Sequence, residues 1–223
     1  MRMNVHSQVR HMSVTSVSPG RRLSDAERRQ RILEGSERAF VRNGFHATTM
    51  QRIAEELGMS AGNLYRTFPS KEAIVEGLCE LDQAELAGAF AELMADNRQI
   101  MQAVCCGMRK HVLAKPPEKA RLLVEIWAEA GRNPRVAAMT RAIDTEVLAR
   151  LEKLIDTAKA SGAASPELNS HFGARFFLTF VAGIFKRIAL EADFDPEAET
   201  PMAIGVLKAL FTGALRPEPG AET

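Results

Sequence analysis

Asn63, Arg66 and Thr67, with small Ala61 and Gly62 before them and Tyr65 and Lys71 beside them, gather amide, guanidinium, hydroxyl, phenol and ammonium groups in one short stretch. No nucleophile with a neighbouring base stands among them, and no metal-ligand spacing. Their chemistry is hydrogen bonding. An amide such as Asn63 matches base edges in a major groove, whereas the Tyr65 phenol and the Lys71 ammonium suit phosphate oxygens, which set register without reading sequence. Two short helices must position these groups. Thr48 is a good N-cap and Gln51 completes a capping box, so a helix is predicted to open there with Ile53, Ala54 and Leu57 inward. Gly58 closes it by taking the left-handed conformation of a tight turn, and Ser60 caps the second helix. Leu64 and Phe68 face the core, which leaves Ala61, Asn63, Arg66 and Thr67 outward.

From about Arg29 to about Val75 the chain closely resembles the TetR family of transcriptional regulators, through Ala39-Phe40, Gly44-Phe45, Thr48-Thr49, Ile53-Ala54, Leu57-Gly58, Leu64-Tyr65, Phe68 and Ser70-Lys71. The resemblance implies a three-helix DNA-binding domain. It makes Thr48, Thr49, Tyr65 and Lys71 backbone contacts and gives base reading to Ala61, Gly62 and Asn63.

The charge distribution agrees with this. Residues 1–72 carry 12 Lys and Arg against 7 Asp and Glu, residues 73–223 carry 17 against 21, and the whole chain nets only +1. Counterion release needs positive charge only where the duplex lies. The 223 residues, 46% hydrophobic and 26% charged, fit a globular protein. No apolar run suits a membrane span or a signal peptide, so a cytoplasmic protein without membrane contact is expected. Three cysteines, with Cys105 and Cys106 adjacent, make no disulfide framework, and reduced thiols are expected. No cofactor motif is present: a phosphate loop, a nucleophile elbow and an HExxH spacing are all missing, which argues against an enzyme.

Residues 1–22 are polar and read as a disordered extension whose Arg2, Arg10, Arg21 and Arg22 could lie over a minor groove. A capping box at Ser24 to Glu27 opens a first helix with Ile32, Ser36, Ala39 and Phe40 inside, ending near Gly44, and Arg28 and Arg29 near its start could also meet phosphate. The DNA-binding domain is set at residues 23–70, a helical ligand-binding and dimerisation domain at 71–215, and a flexible tail at 216–223. Capping residues before prolines, at Asn133-Pro134, Ser165-Pro166 and Thr200-Pro201, and a break at Lys115-Pro116-Pro117, mark helices at about 71–95, 97–114, 118–131, 134–161, 166–192 and 201–215. Strand signals are absent, so the fold is all α.

The last two of these helices carry more apolar surface than one face can hide, including Phe176, Ile184, Ile204, Leu207 and Phe211, so they must be covered inside the domain or by another subunit. The resemblance implies the second, a four-helix interface of a homodimer that would present two recognition helices to a palindromic operator. It also implies a cavity for a small, largely apolar effector. Its walls are expected among Met101, Cys105, Met108, Trp127, Phe177 and Phe180, with Phe90, Met94 and Leu123 as further candidates and His111, Glu125, Glu129 and Arg175 as polar groups to orient the effector. The expected function is a ligand-responsive repressor released from double-stranded DNA by its effector. An activator of the same fold and a helical scaffold protein are the alternatives.

Overall fold

A computed structural model of the chain describes residues 24–95 and 100–215, and the side chains of residues 89 and 92–95 are outside that description. The extension 1–22 with its arginines, the tail 216–223 and the side chain of Met94 therefore lie outside the described residues. All regular structure among the described residues is helical, as expected. The helices are α1 (Asp25–Asn43), α2 (Met50–Glu56), α3 (Ala61–Thr67), α4 (Lys71–Ala95), α5 (Ile100–Gly107), α6 (Pro117–Ala130), α7 (Pro134–Ala160), α8 (Ser170–Leu190) and α9 (Pro196–Phe211).

The first helix opens on the predicted box. The Ser24 hydroxyl accepts the Glu27 N–H while the Glu27 carboxylate accepts the Ser24 N–H. Gly44 ends α1 at φ 78° and Gly58 turns the chain between α2 and α3 at φ 63°, both in the region that disfavours a side chain. Start signals further on were only partly legible. Asn133 caps α7 as its sequence suggested, but α8 begins at Ser170 under Asn169 rather than at Pro166. There Ser165 donates its N–H to the Phe211 carbonyl at 2.7 Å, and a single turn follows in which its hydroxyl accepts the Glu167 N–H at 3.3 Å and its carbonyl the Leu168 N–H at 3.1 Å, but buried Leu168 then enters the core and the helix starts only after it. α9 begins at Pro196 under Asp195, before the expected start, and Pro201 lies inside it. Pro201 is exposed, so the carbonyl left without its N–H partner lies where water can reach it. The expected helix at 97–114 is α5 running into a π-helical turn, Met108–Leu113. The Ala114 N–H donates to the Arg109 carbonyl at 3.0 Å, and the wider turn lets Met108, Val112 and Leu113 all face inward.

Two apolar cores result. One joins Ile32, Phe40 and Phe45 with Ile53, Leu64 and Phe68 of the helix pair. It does not stop at residue 70: Ile74 and Val75 of α4, Leu122 and Ile126 of α6 and Val136 of α7 belong to it. The second core lies among α5, the π turn, α7, α8 and α9, around Met108, Ile155, Leu207 and Phe211. α6 touches both, because Ala120 and Val124 pack into the second core and Leu122 and Ile126 into the first.

Four of the five residues expected at a subunit interface are core instead. Ile184, Ile204, Leu207 and Phe211 are at most 9% exposed within a single chain, where they close the second core. Sequence periodicity shows that a face is apolar and not which neighbour covers it. Phe176 alone keeps an accessible position, between Phe172 and Phe180 in a row along α8 with ring centroids 6.2 Å apart at each step. Arg187 on α8 ties that helix to α9 through both carboxylate oxygens of Glu199.

Candidate nucleic-acid interface

The helix pair builds its outer face from the inside. Leu64 and Phe68, at most 1% exposed, pin α3 to the first core, so Asn63, Tyr65 and Arg66 stand outside. Ser60 caps α3 by accepting the Asn63 N–H at 3.3 Å. The Asn63 side-chain amide has no partner among the described residues and is free to meet a base edge. Gly62 is exposed, and a Cβ there would meet nothing within 4 Å, so the backbone is open to close approach from outside. Tyr65 is 51% exposed. Ala61 and Thr67 are half-buried at the margins of this face.

Thr48 requires correction, and Lys71 has a structural bond besides the expected phosphate contact. Thr49 rather than Thr48 caps α2, its hydroxyl accepting the Arg52 N–H at 3.2 Å. The Thr48 hydroxyl instead donates to the Gly44 carbonyl at 2.7 Å, lies within 3.3 Å of that of Ala39, and is buried. It closes the end of α1 and has no surface to offer a phosphate. Lys71 is half-buried, its ammonium donating to the Phe45 carbonyl at 2.8 Å and lying 4.2 Å from the centre of the Phe45 ring. Burial pulls this ammonium below the usual lysine range, opposed by the carboxylates of Glu72 and Glu129. Its charge serves the fold first. Arg29 likewise sits over the Phe68 ring at 4.6 Å and pairs with Glu80 at 2.8 Å, and Arg28 pairs with Asp25 at 3.4 Å. Arg52, not singled out from the sequence, is exposed on α2 with its guanidinium steadied by the Ala47 carbonyl at 2.9 Å. A cation in the first turn of that helix was the signal for it.

Among the expected effector residues, Cys105 and Met108 are buried in the second core, and Met101, Phe177 and Phe180 pack against it partly buried. Trp127 does not. It belongs to neither core and is 39% exposed, one turn from the end of α6 and beyond Ala120 and Val124. The concave surface found near α6 lies elsewhere, a cleft of 340 Å³ between α1, α4 and α6 with Leu78, Leu122 and Leu123 in its walls and Asp82 and Lys115 among its polar groups. Burial raises the Asp82 carboxyl above the ordinary range. Of the apolar walls expected, only Leu123 lines this cleft.

Glu125 and Glu129 were expected to orient a ligand and do something else. The Phe45 N–H donates to the Glu125 carboxylate at 2.5 Å, and Glu129 lies 3.5 Å from His46, which also meets Arg132 at 2.8 Å. The end of α6 thus holds the turn that leads into α2. Among the described residues no group of His, Cys, Asp or Glu is placed to hold a metal ion, and no helix is long and apolar enough to cross a membrane.

A short capped helix with a free amide and an exposed phenol, set by a glycine turn against a second capped helix, defines a helix-turn-helix DNA-binding protein. The comparisons with known proteins agree. Residues 32–78 match the profile of bacterial regulatory proteins of the tetR family, and residues 110–211 match the C-terminal region of BetI-type transcriptional repressors. The regulator UidR of Escherichia coli strain K12 is 30% identical over 190 residues, 84% of this chain and 92% of that protein. The repressor AcnR of Corynebacterium diphtheriae is 30% identical over 129 residues, 56% of this chain and 64% of that one. Among solved structures, Salmonella enterica GusR superposes with a TM-score of 0.70 at 29% identity, covering 82% of this chain and 94% of its own. The chain belongs to the TetR family of transcriptional regulators.

Proposed function

We propose that the protein is a homodimeric repressor that binds a palindromic operator through α3 and is released by a small, largely apolar effector held in the C-terminal region. The observation that carries the DNA contact is the free Asn63 amide on the exposed face of α3, beside Gly62 and Tyr65. Base reading falls to Ala61, Gly62 and Asn63. Phosphate contacts fall to Thr49, Tyr65, Arg66 and Arg52, with Ser60 holding the start of α3 in place. Repression is supported by the BetI-type repressor match over residues 110–211 and by the repressor AcnR.

Dimerisation uses the face that the subunit core covers only in part. Phe172, Phe176 and Phe180 run along α8 beside exposed Gly183, and α9 adds exposed Met202 and Gly205. A Cβ at Gly183 or Gly205 would meet nothing within 4 Å, so a second pair of helices can approach closely. Two-fold pairing would set the recognition helices about 34 Å apart, one turn of DNA. The effector would lie next to Met101 and Phe177, whose adaptable and aromatic side chains border the second core. A structure of similar fold, AibR, was solved with isovaleryl coenzyme A and operator DNA, which supports a ligand with an apolar part. DNA-bound and effector-bound states would exclude one another by reciprocal coupling. The protein acts where the DNA is, in the cytoplasm.

Selection of bound duplexes from a random pool, repeated at several salt concentrations, tests this reading. A palindrome enriched at every salt is the expected result. Recovery of unrelated, wholly salt-labile sequences would overturn it in favour of a basic helical scaffold.

A further inference from the structure

The turn between α1 and α2 is held from both sides by charge. Phe45 donates its N–H to the Glu125 carboxylate of α6 at 2.5 Å, and its carbonyl accepts from the Lys71 ammonium of α4 at 2.8 Å. A charged partner makes each of these bonds stronger than a neutral one. The site has no slack. A Cβ at Gly44 would lie 3.4 Å from the other Glu125 oxygen, and the Phe45 ring is buried against Phe40 at 5.5 Å. Past Phe45 the chain has little freedom before α2, because the Thr48 hydroxyl is bound to the Gly44 carbonyl and Thr49 is the cap. Glu125 therefore grips the segment that determines where α2, and with it α3, begins.

α6 is also the helix whose Ala120 and Val124 pack in the second core. We propose that Glu125 is a positioning residue for DNA binding: through the Phe45 peptide it sets the stance of α2 and α3, and it carries any displacement of α6 to them. This rests on DNA binding by the helix pair and not on any effector. Lys119, on the same helix, makes a separate bridge to Glu37 of α1 at 2.8 Å and does not touch the turn. It serves as the internal control.

The test uses the full chain and an operator selected as above. Affinity is measured for Glu125→Ala, Glu125→Gln and Lys119→Ala, and backbone hydrogen exchange is followed across residues 41–67 and across the C-terminal helices. Glu125→Ala is expected to lose operator affinity on the order of tenfold or more, with exchange accelerated in residues 41–67 and unchanged in α7 to α9. Glu125→Gln, whose amide oxygen still accepts the Phe45 N–H, is expected to recover most of the loss, and Lys119→Ala to bind as the parent does. Parent-like affinity of Glu125→Ala would overturn the proposal, as would faster exchange spread evenly over all helices, or an equal loss in Lys119→Ala. Should Glu125→Ala fail to fold, Glu125→Asp, whose shorter side chain draws the carboxylate away from the Phe45 N–H, takes its place with the same expected loss, and parent-like affinity there would overturn the proposal. Failure of the parent to hold any operator would strike the DNA reading itself, a separate outcome.

Discussion

Asn63 shows what a single residue contributes to a fold that has no other use for it. Its backbone N–H completes the Ser60 cap, while its side chain has no partner among the described residues. Asn63→Ala should therefore leave thermal stability nearly unchanged and relax base preference, at a cost of about 1–3 kcal/mol at the cognate base pair. Competition binding against single-base operator variants measures this, and unaltered preference would place the reading face elsewhere. The cysteines give a second prediction at this scale. Cys105 is buried and Cys106 exposed on the same helix, so the adjacent pair does not share a surface. Burial, together with the carboxylates of Asp82, Glu76 and Glu80, pushes the Cys79 thiol up to about 12, which keeps it protonated and unreactive at neutral pH. Alkylation of the native protein followed by mass spectrometry should label Cys106 alone, with Cys79 and Cys105 reacting only after unfolding.

The elements follow local rules where those rules act alone. Ser24, Thr49, Ser60 and Asn133 cap helices because each side-chain oxygen finds an N–H in the first turn, whatever the rest of the chain does. Ser165 and Thr200 had the same local signature and started no helix: the turn that Ser165 caps ends where Leu168 enters the second core, and Asp195 starts the last helix earlier. The α8–α9 tie yields a pH prediction. Hydrogen bonding from Arg187 holds the Glu199 carboxyl below its ordinary value of 4.5. A depressed carboxyl contributes stability that is fully present above the unfolded-state pKa and is lost as the pH falls through the folded one. The thermal midpoint should thus be lower in Arg187→Ala than in the parent at pH 7, and the gap should narrow as the pH falls below 4.5. A gap independent of pH would mean that Arg187 acts only by packing on Phe194.

For the whole molecule, the decisive distinction lies between apolar residues that fill the subunit and those that remain on its surface. Phe176→Glu should turn a dimer into a folded monomer, seen by sedimentation with helical content retained, because Phe176 lies in the partly exposed row on α8. Leu207→Glu should instead abolish folding, since Leu207 is wholly buried in the second core. Equal behaviour of the two variants would show that the row on α8 is not the interface. Under the proposed dimeric reading Phe176→Glu should weaken operator binding as well, because one recognition helix engages only half of a palindrome.

By itself the sequence determined the all-α class, the helix pair with its glycine turn, the cap at Ser60 and the outward face at Asn63, since each rests on residues within a turn or two of one another. The tertiary structure decided which apolar side chains meet. It buried Ile204, Leu207 and Phe211 within one chain, left Trp127 outside both cores, took Thr48 from the DNA face, and tied Lys71 to the turn at Phe45. It also brought Glu125 to the Phe45 N–H across a separation of 80 residues. Helical spacing places a side chain on a face of its own helix and says nothing of what lies opposite, so contacts of that range become visible only once the helices have packed.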